Sequence, residues 1–188
     1  MQKKDTKNIL IESLKELSRV KAIDKISVRD ISENCGVTTQ TFYNHFRDKN
    51  ELVFYTYKLR VDDLMYRFEN GEITWEQALE IYLKGFRYQC NFILNALNNT
   101  SGPDSYMEQA SAYLLEQMVK MLKHVKGTED VPEKYIFQIK FYSYGLINMI
   151  AEWLREGMKI SEKELVVLLE FSEPRELQEY VFSKEDKQ

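Results

Sequence analysis

The chain has 188 residues, 44% of them hydrophobic, with only 7 Gly and 3 Pro and a formal net charge of −4. That length and apolar content allow a sizeable core, and the scarcity of Gly and Pro, with no long alternating β-rich run, argues for an almost entirely helical protein: one large helical domain or a small head on a larger body. No stretch reaches the ~18 consecutive apolar residues of a membrane span, and the start MQKKDTKNIL lacks a signal peptide's apolar core, so a cytoplasmic protein with no membrane contact is expected.

The charge is unevenly placed. Residues 1–50 carry ten Lys+Arg against seven Asp+Glu, leaving 16 against 23 for residues 51–188. A basic head on an acidic body suits a protein of which one end meets phosphate, although a surface of no special purpose would carry a similar balance. Cys35 and Cys90 fall in different predicted helices without CxxC spacing, so both read as small buried hydrophobes and neither a disulfide nor a zinc site is expected. His45 and His124 are the only histidines, which gives no expectation of a metal.

In chain order, Asp5 to about Val20 forms the first helix, with Ile9, Leu10, Leu14 and Leu17 at helical spacing and Lys3, Lys4 and Lys7 near its start. Lys21–Lys25 make a polar connection anchored by Ile23 and Ile26. Next comes SVRDISENCGVTTQTFYNHFRDKNEL, residues 27–52, which divides into two short helical patterns around Gly36: a helix-turn-helix. Ser27 is a natural N-cap with Asp30 three residues on, Gly36 suits a turn that needs positive φ, and Thr38 caps the second helix. That helix would expose Thr39, Gln40, Thr41, Tyr43, Asn44 and His45, a face with no charge to repel phosphate. Gln40 and Asn44 have the amide geometry to pair with adenine, and Thr39 and Thr41 can hydrogen-bond or meet a thymine methyl. Ser27 and Thr38, at the two helix entrances, complete the candidate set. Phe42 and Phe46 read as core.

At these residues the chain resembles the TetR family of bacterial transcriptional regulators, whose recognition-helix signature is similar to TFYNHFRDKNEL; QTFYNHFRDK is similar in particular to the subset that includes regulators of dihydroxyacetone kinase genes. The resemblance implies backbone contacts for Tyr43 and His45, a phosphate contact for Lys49, a homodimer on a palindromic double-stranded operator, and an all-α protein with a three-helix head, residues 1–48, and a helical effector-binding and dimerisation body, residues 49–188. It also implies that the helix after the head transmits effector binding to the reading helix.

Asp48 caps that long helix, Lys49–Phe68, which ends at Asn70-Gly71. Thr74 with Gln77 begins the next, running to about Leu97 with a wide apolar stripe. Asn98–Pro103 is a loop. Helices from about Asp104 to Val125 and from Glu133 to Met158 follow, separated by a polar break, with Pro132 in the first turn of the latter. Ser161 with Glu164 caps Ser161–Phe171, and Arg175–Phe182 makes a short last helix before the charged tail SKEDKQ. Phe86, Tyr113, Met118, Met121, Phe141 and Tyr144 are the candidate lining of an apolar ligand pocket, although such side chains at helical spacing are more often core. The family's four-helix bundle across a two-fold axis would use Ile147, Ile150, Trp153, Leu165, Leu168 and Leu169.

No glycine-rich phosphate loop, HExxH, nucleophile elbow or Cys-His pair is present, so neither catalysis nor a cofactor is expected. The expected function is a ligand-responsive repressor controlled by an unknown small-molecule effector. The alternatives are an activator controlled by a partner protein, or a helical protein-interaction module without an operator.

Overall fold

The computed structural model describes residues 5–182. Among them are nine α-helices, one 3-10 turn and no strand: α1 (Thr6–Ser18), a turn at Ile23–Lys25, α2 (Val28–Asn34), α3 (Thr39–Tyr43), α4 (Lys49–Glu69), α5 (Trp75–Asn98), α6 (Tyr106–Lys126), α7 (Glu133–Arg155), α8 (Glu162–Phe171) and α9 (Arg175–Phe182). The protein is all-α, with a helix-turn-helix head and a helical C-terminal region. Lys3, Lys4 and the tail SKEDKQ lie outside the described residues.

Most helix boundaries follow from local chemistry. Asp5 accepts from the Lys7 amide at 3.2 Å, and Asp48 from the Glu51 amide at 2.9 Å. Reciprocal capping boxes close at Ser27/Asp30, Thr74/Gln77 and Ser161/Glu164, each satisfying two amide donors that the first helical turn leaves free. Pro132 is the N-cap of α7 rather than a residue of its first turn, and α7 stops at Arg155, three residues before the expected Met158, because Gly157 at φ 80° takes the chain out of the helix.

The chain forms two compact units, Met1–Arg60 with Phe86–Gln109 and Val61–Gly85 with Ala110–Gln188. In the first, α1 packs on α2 and α2 on α3. Leu10, Leu14, Ile23, Ile26, Ile31, Phe42 and Leu52 are among its most buried side chains, with Phe42 and Phe46 tilted together at 5.9 Å between ring centroids. The buried Ser13 hydroxyl donates to the Ile31 carbonyl at 2.7 Å and accepts from the Asn34 amide at 3.1 Å, tying α1 to α2 with its polar capacity satisfied. Cys35 and Cys90 are half-buried free thiols, less enclosed than expected.

In the second unit, the buried faces of α7 and α8 supply Ile139, Leu146, Ile147, Ile150, Trp153, Leu154, Leu165, Val166 and Leu169. The Trp153 indole donates to the Ile160 carbonyl at 2.9 Å, closing the α7–α8 turn, and the Tyr142 hydroxyl donates to the Leu169 carbonyl at 3.3 Å. The α9 helix packs on α7.

Candidate nucleic-acid interface

The reading helix is short. Its N-cap, Thr38, accepts from the Thr41 amide at 3.0 Å, and its hydroxyl lies 2.9 Å from that of Thr41. Gly36, at φ 73°, makes the turn between the two helices in a region that a side chain would strain. The α3 helix ends at Tyr43; Asn44, its C-cap, keeps right-handed helical dihedrals and so continues the face of Gln40 one turn on, while His45 lies beyond the cap.

Thr38, Thr39, Gln40, Tyr43 and Asn44 are exposed together, with Tyr43 at 55%, while Thr41 and His45 are half-buried. Gln40 Nε2 donates to Asn44 Oδ1 at 3.1 Å. The paired amides hold each other in place and keep a free acceptor on Gln40 and free donors on Asn44 for an external partner. No Asp or Glu occurs between Glu33 and Asp48. At the start of α2, the Lys21 ammonium, 2.8 Å from Asp30, joins the Ser27 amide and hydroxyl in holding the Asp30 carboxyl down to about 2. Exposed Ser27 is thus occupied as one half of a capping box.

Lys49 is placed differently from the phosphate contact that the resemblance implied. Its Nζ donates to the carbonyls of Ile23, Asp24 and Ile26 at 2.8, 2.8 and 2.7 Å, and partial burial lowers its pKa. An ammonium has three donors, and all are taken. It clamps the 3-10 turn that precedes α2, and a phosphate would have to displace one of those carbonyls. The same turn is held from α5. Asn95 Oδ1 accepts from the Ile23 amide at 2.9 Å, and Asn95 Nδ2 donates to the Ser18 and Lys21 carbonyls, both at 2.9 Å. The sequence offered one signal for this: a lone amide between Leu94 and Ala96 in an apolar run.

The second unit holds a cavity of about 370 Å³, lined by Phe68, Thr74, Trp75, Glu76, Met118, Met121, Leu122, Ile139, Glu170, Glu173, Leu177 and Gln178. Only Met118 and Met121 of the expected pocket residues belong to it. Phe86 is buried in the other unit, the Tyr113 hydroxyl donates to the Asp62 carboxylate, and Phe141, 74% exposed, and Tyr144 are at the surface. The missed lining is Phe68 at the end of α4, Leu122 of α6, Ile139 of α7, and the residues at the start of α5 and the α8–α9 junction, a combination that periodicity on any one helix does not reveal.

The interface candidates need a similar correction. Ile147, Ile150, Trp153, Leu165 and Leu169 are buried in the unit's own core, and of the six only Leu168 is exposed, at 56%. The apolar side chains left outward on these helices are Phe137, Phe141, Tyr144 and Met149 of α7 and Val167, Leu168 and Phe171 of α8. Both helices thus carry large apolar side chains outside the set their own core consumes, and residue type alone does not separate the two groups.

None of the described helices is long and apolar enough to cross a membrane, and no group of three His, Cys, Asp or Glu among the described residues is arranged to hold a metal ion. The helix-turn-helix on a helical body defines the class: a DNA-binding transcriptional regulator. Residues 10–56 match the family described as bacterial regulatory proteins, tetR family, and residues 73–171 match that family's transcriptional regulator C-terminal region. The chain belongs to the TetR family. No curated protein sequence matches it. Among solved structures it is similar to the dihydroxyacetone kinase operon activator DhaS, at 18% identity over 88% of this chain and 92% of that one with a TM-score of 0.56. It is also similar to the fatty acid degradation regulator FadR from Bacillus halodurans, at 12% identity over 94% and 98% with a TM-score of 0.52. At these identities the likeness is one of fold.

Proposed function

We propose that the chain is a ligand-responsive repressor that works in the cytoplasm, two copies of which place α3 in successive major grooves of a palindromic operator. The observation that carries this reading is the exposed face of α3, where Gln40 and Asn44 present paired amides within a stretch, residues 34–47, that has no Asp or Glu. Gln40 and Asn44 read bases, Thr39 and Thr41 support them, and Thr38, Tyr43 and His45 meet the backbone, with Ser27 at the entrance of α2. Residues 1–48 are the DNA-reading part and 49–188 the regulatory part. The dimer forms through the outward apolar side chains of α7 and α8. These include Phe171, 85% exposed, whose burial removes apolar surface from water.

The regulatory connection runs through two helices that each carry both kinds of residue. On α4, Lys49 holds the turn before α2 and Phe68 lines the cavity; on α5, Asn95 holds that turn and Trp75 lines the cavity. A ligand in the cavity shifts DNA binding to the extent that it binds one arrangement of these helices better than the other. The name of DhaS, an operon activator, supports activation as a second reading, which a reporter gene placed behind the operator separates by the direction of its response.

The test is selection of bound fragments from the source genome, with titration of the winning fragment at two salt concentrations. A single enriched palindrome whose affinity falls steeply with salt is expected, because neutralised phosphates release counterions. A folded dimer that enriches no sequence at low salt would overturn the reading in favour of a helical interaction module.

A further inference from the structure

The cavity of the second unit has an unbalanced wall. Glu76, Glu170 and Glu173 all line it, and no Lys, Arg or His among the described residues does. Burial, followed by the neighbouring Glu76 and Glu173 carboxylates, raises the pKa of Glu170; burial also raises that of Glu173, opposed by a hydrogen bond from Gln178 Nε2 at 2.8 Å. Helix energetics account for only part of this arrangement. Glu173 precedes α9, where a carboxylate is favoured by the helix N-terminus, but Glu170 occupies the last turn of α8, where the free carbonyls disfavour negative charge. Three carboxylates thus line one cavity, and no described Lys, Arg or His lines it with them.

The remaining wall is aromatic and sulfur-bearing. Trp75 and Phe68 meet edge to face at 5.9 Å between ring centroids, with Met118 and Met121 on α6. Aromatic faces and polarisable sulfur accommodate a desolvated organic cation, and a volume of about 370 Å³ falls within the range of small-molecule sites.

We infer that this cavity takes an organic cation, an amine or quaternary ammonium on a compact apolar body, whose charge sits against Glu170 and Glu173 and whose body lies along Trp75 and Phe68. The inference rests on the reading of this cavity as the effector site and names the chemical class that the site selects. An anionic effector such as a fatty acid or a sugar phosphate would meet repulsion from all three carboxylates.

The test uses three probes with one body and different heads: 4-phenylbutylamine, 4-phenylbutanol and 4-phenylbutyrate, titrated into the full-length protein by calorimetry and tryptophan fluorescence. The amine is expected to bind at least about tenfold more tightly than the alcohol, and the butyrate more weakly than either. The double variant Glu170→Gln/Glu173→Gln is expected to lose the amine's advantage while holding the alcohol as before. Glu76→Gln, at an exposed position, is expected to lose a smaller part of it. Removal of like charges keeps the double variant folded, which a melting temperature at or above that of the parent confirms; Glu76→Gln supplies an independent arm. Equal binding of amine and alcohol, no amine binding at millimolar concentration, or a preference that survives the substitutions would overturn the inference. Release of operator DNA is measured in parallel. Selective amine binding that leaves DNA affinity unchanged sinks the effector reading and supports the cation class, whereas release by the alcohol or the butyrate with no amine preference sinks the cation class alone.

Discussion

Asn95 Oδ1 accepts a hydrogen bond from the backbone amide of Ile23 at 2.9 Å, across 72 positions of sequence. The bond anchors the turn before the helix-turn-helix to α5; the same Asn95 Oδ1 also accepts from Asn99 Nδ2, and Asn95 Nδ2 donates to the Ser18 and Lys21 carbonyls. An Asn95→Ala variant leaves these half-buried backbone groups without their partner. It is expected to lower the stability of the first unit by about 1–3 kcal/mol. Urea unfolding followed by backbone hydrogen exchange checks this; an unchanged exchange rate at Ile23 would contradict the anchoring role.

Lys49 clamps the same turn from α4. Lys49→Met keeps most of the aliphatic stem and removes all three donors, and is expected to destabilise the head by about 1.5–3 kcal/mol. A purely phosphate-binding lysine would instead reduce operator affinity for every sequence with no change in melting temperature. Thermal unfolding of the free protein separates the two roles without DNA.

At the reading face, Gln40→Ala and Asn44→Ala are each expected to cost about 1–3 kcal/mol of discrimination at one base pair per half-site and to leave the salt dependence unchanged. Affinity measured on a set of singly substituted operators gives the answer. A uniform loss on all sequences would remove base reading from that residue.

For the dimer, Phe141→Glu and Leu168→Glu put charge on outward apolar positions and are expected to yield a folded monomer by sedimentation at micromolar concentration. Ile147→Ala opens a cavity in the unit's own core and is expected to cost about 2–5 kcal/mol of stability while the dimer persists. The opposite pattern would restore the inward set as the interface.

The Asp30 carboxyl titrates at about 2 in the folded head, held down first by Lys21 and then by Ser27. A carboxylate with a depressed folded pKa stabilises the fold above its unfolded value of about 3.9, and that contribution is lost as the pH falls from there towards about 2. The head is therefore expected to unfold at lower temperature at pH 3 than at pH 5. Asp30→Asn should flatten that difference; an unchanged slope would assign the acid sensitivity to other carboxylates.

The features that the sequence determined by itself are those settled within a few residues of chain. Ser27 with Asp30, Thr74 with Gln77 and Ser161 with Glu164 close their capping boxes because donor and acceptor are three positions apart. Gly36 makes the turn because it lacks a Cβ, and Phe42 and Phe46 enter the head's core by helical spacing. Only the tertiary structure decided which apolar side chains of α7 are core and which are left outward, since Phe137, Phe141, Tyr144 and Met149 are of the same residue types as those the core takes. Only it brought Glu76 beside Glu170, and Lys49 and Asn95 onto a single turn. Those relationships depend on packing between segments distant in the chain, where desolvation and hydrogen-bond geometry, rather than local periodicity, determine which contacts form.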